Sequence, residues 1–442
     1  MGLRELGYSD KVFYYGQSGD GATFNLRMSF FMRDKLDVSL FKEAINTSLD
    51  RFPEFKYRPV VFENQLFAKD NTEEVLLVPY DARSRTLGTD ETNGYLFYFA
   101  YDGNRVFFSF FHGLTDYKGM LAYIYTVLIM YGEMTGKVTF GEDKWRKTVL
   151  TRLSESAPAI LDDCERFDPY NKYKNEDAKP SYQYDFRPSF TIPEPVYELN
   201  DNKLQSYTIT TSTSQFLVLT KSLKTSFAPL VVSTICEGIG SVYNGIDLPI
   251  TGMLPVDLRR IFNTDTVVNF SDGVMLPVNE KAMSFSLGER CAYIRSMMDK
   301  QITRENFELI MANKVNAVKA HQEHSQSIGE YCRQLSSPRI TLGAPRPVTY
   351  AITYPGRVYP KEIAPIVERI EMEPYVRAFS VFAFSKEDEF VLHIQQRFDN
   401  DAIAESIKRS LEKLGLPAVI RNAGHIYSDK VIADRLECIR KS

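Results

Sequence analysis

The apolar positions of this chain change period as it runs. Leu40, Phe41, Ala44, Ile45, Leu49 and Phe52 recur at helical spacing, with Asp37 or Ser39 placed to cap the start and Pro53 to stop it. Ahead of that helix, FNLRMSFFMR (24–33) has strand composition, and short strand-like runs follow at 57–62 and 74–79. YLFYFAYDGNRVFFSFF (95–111) is two β-rich runs about Asp102-Gly103, a strong hairpin pattern. His112 stands at the exit of its second strand, and an apolar helix follows Gly119 to about Tyr131. The histidine therefore sits on a strand-to-helix connection.

Beyond this the period fades. Residues 165–203 are rich in Pro, Tyr and charge and read as a linker. A second half opens with a strand at Gln205 and a helix over STSQFLVLTKSL (212–223), capped by Thr213 or Ser214, then a helix from about Ala228 to Tyr243. LPITGMLPVDLRRIF (248–262) and VVNFSDGVMLPV (267–278) contain strands, and a helix spans about 287–301. PVTYAIT, VRAFSVFAFS and EFVLHIQQ read as strands, with a last amphipathic helix from Asp401 to Leu414. Both halves mix sheet and helix, an α/β (α+β) pattern. The domain reading is a lobe at 1–165, a linker at 166–203 and a lobe at 204–442.

Composition narrows the function. The 53 basic and 57 acidic residues nearly balance, which argues against a polyanion-binding face and so against nucleic acid. Five scattered cysteines (Cys164, Cys236, Cys291, Cys332, Cys438) have no metal-ligand or redox spacing and read as reduced thiols. The start lacks the features of a secretory signal, and the longest apolar stretch, Met120 to Tyr131, is too short to span a bilayer. The expectation is a soluble, cytoplasmic protein with no membrane span.

His112, four residues before Asp116, leaves several readings open. A metal pair would need a shared helix face and a third ligand, and Gly113 and the preceding strand argue against the first. A serine triad would need a nucleophile elbow, yet no G-x-S-x-G occurs. A structural histidine in an aromatic cluster and a lone general base remain. Elsewhere, His321 and His324 in HQEH read as a solvated helix face, His393 as a half-buried strand histidine, Cys236 as core, and His425 carries no chemical signal.

FHGLTDYKG (111–119) resembles the H-x-x-x-D-G motif of the coenzyme A-dependent acyltransferase superfamily. That group holds chloramphenicol acetyltransferase, alcohol acetyltransferases, plant BAHD enzymes and the condensation domains of peptide synthetases. LDVSLFKEAINTSLDRFPEFKYR (36–58) resembles its first helix, and NGYLFYFAYDGNRVFFSFFHGLTD (93–116) the hairpin that delivers the motif. PVDLRRIFNTDTVVNFSDGVMLPV (255–278) resembles the segment where an arginine follows a strand, and TYPGRVYPKEIAPIVERIE (353–371) a C-terminal segment of the alcohol acetyltransferases.

The resemblance implies two chloramphenicol acetyltransferase-like lobes forming a pseudo-dimer about a central tunnel. It implies His112 as general base, acyl-coenzyme A as co-substrate, no permanently bound cofactor and no metal. Its partners would be a small-molecule acyl donor and an alcohol or amine acceptor, with a carrier protein as an alternative donor. Asp116 would support the catalytic loop by pairing with Arg259, or with Arg260; Tyr117, Ser271 and Thr353 would line the tunnel, and Asp272 lies beside them. Three stretches depart from the pattern. Tyr117 stands where glycine is usual; Phe111 replaces the first histidine of condensation domains, which points to the alcohol acetyltransferase branch; Tyr354 and Pro355 precede Gly356-Arg357. The D-F-G-W-G motif of the plant branch is absent. A catalytically silent relative that binds a small molecule or partner, and a condensation enzyme using carrier-bound donors, are the competing functions.

Overall fold

The computed structural model describes residues 2–16, 24–139, 161–180, 182, 188–195, 203–324, 348–357, 361–373, 379–427, 429 and 436–439. The first part of the chain carries β1 (Leu3–Glu5), α1 (Tyr8–Gly16), β2 (Asn25–Met32), α2 (Val38–Leu49), β3 (Tyr57–Phe62), β4 (Gln65–Asp70), β5 (Leu77–Pro79), β6 (Phe97–Asp102), β7 (Arg105–Phe111) and α3 (Tyr117–Met134). Within the stretch read as a linker, α4 (Asp163–Phe167) and α5 (Pro169–Tyr173) are short helices. Then come β8 (Lys203–Ser212), α6 (Thr213–Ser222), α7 (Phe227–Val242), β9 (Ile250–Asp257), α8 (Arg259–Phe262), β10 (Ser271–Val278), α9 (Glu280–Met283), α10 (Leu287–Gln301) and α11 (Arg304–His324). The last elements are β11 (Tyr350–Arg357), β12 (Val367–Glu373), β13 (Phe379–Lys386), β14 (Glu389–Gln396), α12 (Ala402–Lys413), β15 (Val419–Tyr427) and β16 (Glu437–Ile439).

Two large sheets organise these elements. The first runs in the order β12-β2-β7-β6-β5 and the second β10-β9-β11-β13-β14-β8-β15; a small sheet, β1-β4-β3-β16, flanks the first. β12 and β16 come from the far end of the chain, so the C-terminal part returns to complete the first lobe. Helices α2 and α3 cover one face of the first sheet, where Met28, Phe30, Phe108 and Phe110 are buried with Phe41 and Tyr123. Helices α7, α10 and α12 pack on one face of the second, over a core that includes Ile235, Ile294, Ile407 and Val381.

Alternation along the second sheet separates two environments. Val274, Leu276 and Val278 of β10 are buried in the helix-covered core, while Ser271, Gly273, Met275 and Pro277 keep partial exposure on the other face. On that inner face, Phe382, Phe384 and Val391 join the core cluster of the first lobe. The inner face of the second sheet is thus where the lobes meet.

Local chemistry sets several boundaries. Asp37 caps α2 by accepting from the N–H groups of Ser39 and Leu40. The β6–β7 hairpin turns at Gly103, whose φ of 60° suits glycine. Ser212, rather than Thr213 or Ser214, caps α6. Among the described residues no single helix is long and apolar enough to cross a membrane; α6 and α7 pass together by length and composition, but they are bent by 96° and most of α7 is buried. Cys236 and Cys291 are buried, Cys164 and Cys438 exposed, and Cys332 lies outside the described residues.

Candidate active site

β7 leaves the first sheet at Phe111, and the chain turns through His112 to Thr115 before α3 begins. The His112 N–H donates to the carbonyl of Phe24 at 2.7 Å, tying the turn to the start of β2. Asp116 caps α3. Its Oδ1 accepts from the N–H groups of Lys118 (3.0 Å) and Gly119 (3.1 Å). Its Oδ2 accepts from Arg259 Nη1 (2.8 Å) and from the N–H of Phe270 (2.7 Å), both from the second lobe. Both carboxylate oxygens are therefore fully committed. Burial pushes this carboxyl up, but the Arg259 guanidinium and the backbone donors outweigh it and hold its pKa below the ordinary value.

Arg259 is as fully used. Nε donates to the carbonyl of Thr266 (2.5 Å), Nη2 to that of Val268 (2.8 Å), and Nη1 also to Asp257 Oδ1 (3.0 Å). Arg259, not Arg260, meets Asp116, and the side chains of the pair are 5% and 4% exposed. A planar donor fork of this kind suits the task better than an ammonium group would. The ion pair locks the β7–α3 turn to the segment 266–270.

That segment also brings a residue sequence reasoning missed. Asn269, fully buried, donates through Nδ2 to the carbonyl of His112 (3.0 Å) and lies 3.4 Å from His112 Nδ1. A single asparagine in a strand-like run gives no spacing signal, and its partner is 157 residues away.

The His112 ring is deep in the molecule while the residue keeps partial exposure. Burial lowers its pKa. Hydrogen bonding to the carbonyls of His112 itself and Thr115, and the charge of Asp116, oppose this without reversing it. Burial thus favours the neutral imidazole, the form that can accept a proton. Phe13 of α1 stacks on the ring, with centroids 4.2 Å apart and planes 15° from parallel.

Tyr117 is partly exposed, its ring centroid 5.3 Å from that of Phe382, and its hydroxyl is buried without a hydrogen-bond partner. Thr353 on β11 is the register partner of Phe382, so it shares the inner face of the second sheet. Tyr354 points the other way, into the helix-covered core beside Phe227 and Phe390, so its departure from the family pattern does not alter this face. Ser271 Oγ donates to Asn269 Oδ1 (3.4 Å). Asp272 turns away to Lys314 (2.8 Å) and Tyr170 (3.1 Å), which ties β10 to α11 and α5.

The remaining histidines stand apart. His393, 5% exposed, is held between Ser206 (3.1 Å) and Thr208 (3.0 Å), and burial pushes its pKa down to about 4. His425 Nε2 is 3.2 Å from Asp399 Oδ1 at an exposed position. His321 and His324 lie on α11, but their side chains are outside the described residues. Among the described residues no cluster of His, Cys, Asp or Glu could hold a metal ion.

The two-lobed arrangement is shared with known structures. A starter condensation domain of rhizomide synthetase, crystallised with C8-CoA, superposes with a TM-score of 0.60 at 11% identity, over 93% of this chain and 94% of that one. The fold is that of condensation domains and coenzyme A-dependent acetyltransferases. The trichothecene 15-O-acetyltransferase TRI3 of Fusarium sporotrichioides shares this fold with a TM-score of 0.58 at 12% identity, over 93% and 94% of the two chains. TRI101 of F. sporotrichioides, in complex with coenzyme A and T-2, shares it with a TM-score of 0.58 at 12% identity, over 96% and 100%. No family model and no curated protein sequence matches the chain. At these identities the likeness establishes the condensation and acetyltransferase fold alone, so the chemistry must be argued from the side chains.

Proposed function

We propose that this protein is an acyltransferase that moves an acyl group from a coenzyme A thioester to an alcohol or amine, with His112 as general base. One observation carries the reading: the imidazole of a partly exposed histidine, its neutral form favoured by burial, stands on a turn that the Asp116–Arg259 pair locks across the two lobes. A buried ion pair is weak evidence for stability as such. Its use here is to hold a loop in one position.

The chemistry needs little more. The neutral imidazole takes the proton of the acceptor O–H or N–H as that atom attacks the thioester carbonyl carbon. The new C–O or C–N bond forms, and the carbonyl oxygen becomes an oxyanion. Collapse of this intermediate breaks the C–S bond, and the departing thiolate recovers the proton from the imidazolium. Ser271 and Thr353, on the inner face of the second sheet, are the polar groups suited to position the substrates. Holding both substrates between the lobes supplies much of the remaining rate effect. The coenzyme A complexes of two structural neighbours support a thioester donor.

Calorimetric titration with coenzyme A and acetyl-coenzyme A is the first test, followed by a thiol-release screen of alcohols and amines. Saturable binding and acceptor-dependent thiol release are expected, and His112→Ala is expected to lower transfer by roughly 10²–10⁴-fold in a folded protein. Full activity in that variant would overturn the role of His112. The condensation domains among the neighbours favour one second reading, a carrier-bound donor. It predicts no heat with coenzyme A and transfer from an acyl-pantetheinyl carrier protein.

A further inference from the structure

α1 lays an aromatic ring on the candidate base. Phe13 lies flat on one face of His112, 4.2 Å away, and meets Phe24 edge-on at 5.2 Å. Phe24 in turn accepts the His112 N–H through its carbonyl. The two phenylalanines form a corner around the ring and its main chain. We propose that Phe13 is a positioning residue for His112: by stacking on one face it fixes the plane of the imidazole, and so the direction in which the ring lone pair meets the acceptor's proton. This rests on His112 being the base.

The geometry suits that task. A nitrogen lone pair of imidazole lies in the ring plane, so a cover on the face leaves proton transfer unobstructed. The stack disfavours tilting of the ring, while Asn269 and the Phe24 carbonyl hold the His112 backbone. Offset aromatic contacts of this kind contribute about 0.5–1.5 kcal/mol beyond buried area, enough to bias a side-chain rotamer.

α1 is anchored independently of Phe13. The Tyr8 N–H donates to Asp168 Oδ1 at 3.0 Å, and the fully buried Lys11 pairs with Glu5. Tyr14, 1% exposed, packs against Phe111 at 4.7 Å. Removing the Phe13 ring should therefore leave the helix in place.

The surroundings of His112 decide what that removal does. Asp116, from its own turn, is neutralised by Arg259; Asn269 approaches from the second lobe uncharged, and Phe13 and Phe24 are apolar. An aromatic face attracts a cation and would favour the imidazolium. The net effect on His112 is nevertheless downward, with burial as its largest cause. Uncovering one face lets water reach the imidazolium and should raise the pKa.

The test is an NMR titration of the imidazole carbon–proton signals, with His112 assigned by its loss in His112→Asn. Phe13→Ala is expected to move the His112 titration upward, by more than about half a unit, towards its ordinary value near 6.5. Phe13→Leu keeps an apolar cover and is expected to titrate between wild type and Phe13→Ala; it carries the test if the alanine variant does not fold. Thiol release from acetyl-coenzyme A should fall several-fold in kcat for Phe13→Ala, with KM unchanged and its acid limb displaced upward. A helix that only braces the fold would lose thermal stability and leave the His112 titration where it was, which would overturn the proposal. Absence of thiol release in the wild type would count against acyl transfer instead, and the titration would still decide the role of Phe13.

Discussion

At the scale of single residues, the site depends on a charge that cannot be left alone. Asp116 is buried and ionised because Arg259 and backbone donors surround it. Replacing Arg259 by Met keeps much of the volume and removes the counter-charge. It should cost about 3–5 kcal/mol in urea unfolding, since one buried charge is then uncompensated. The double variant Asp116→Asn with Arg259→Met should recover part of that loss. Equal losses in the single and double variants would mean that the cation does not compensate the carboxylate. Transfer should stay low in both, because either change frees the turn that carries His112. Stability and activity thus part company in the double variant, and that separation distinguishes a positioning pair from a merely stabilising one.

The elements differ in how much of them their sequence announces. α2 reads clearly because Phe41, Ala44, Ile45 and Leu49 are buried at helical spacing behind an Asp37 cap. The β6–β7 hairpin is as plain, with Gly103 at a positive φ between two aromatic runs. α1 has no plain apolar signal, since its polar Ser9, Asp10 and Lys11 are all buried in the structure. Pairing of that kind is a tertiary fact with no local period. The same holds in the site: His112, Asp116 and Arg259 could be picked out through a motif, but Asn269 and Phe13 enter only when distant segments meet. The start of α3 shows how tightly those segments fit. A Cβ on Gly119 would lie 1.9 Å from the carbonyl oxygen of Val267 and 2.2 Å from Thr115 Oγ1. Backbone stands on one side of that contact, so the clash cannot be relieved by a rotamer change. Gly119→Ala should push the turn away from 266–270, lowering the midpoint of thermal unfolding and stretching the Asp116–Arg259 contact. The cost belongs with overpacking, typically 1–3 kcal/mol. An alanine variant with unchanged stability and unchanged transfer would show that the turn can shift without consequence.

At the scale of the whole molecule, the lobes are joined by more than the Asp116–Arg259 pair. β12 lies in the first sheet, where Glu371 accepts from Arg105 (3.3 Å) and lies near Arg369 (3.4 Å) on its own strand. It also accepts from Arg421 (2.7 Å), which comes from β15 at the edge of the second sheet. One carboxylate therefore serves three guanidinium groups and bridges the sheets. Burial pushes the Glu371 carboxyl up, but Arg421, Arg369 and Arg105 together hold it below its ordinary value. A group whose pKa is depressed by folding contributes stability that is present above its unfolded pKa and is lost as pH falls through the folded one. The clasp should therefore be at full strength at pH 7 and weaken in acid, below the ordinary glutamate range near 4.3. Glu371→Gln keeps the shape and removes the charge, leaving the three arginines to repel one another. It should lower the unfolding free energy at pH 7 and lose progressively less, relative to wild type, as pH is brought below about 4. Urea unfolding of both proteins across that range tests the sign directly. A difference that stays constant with pH would assign the loss to packing rather than to charge.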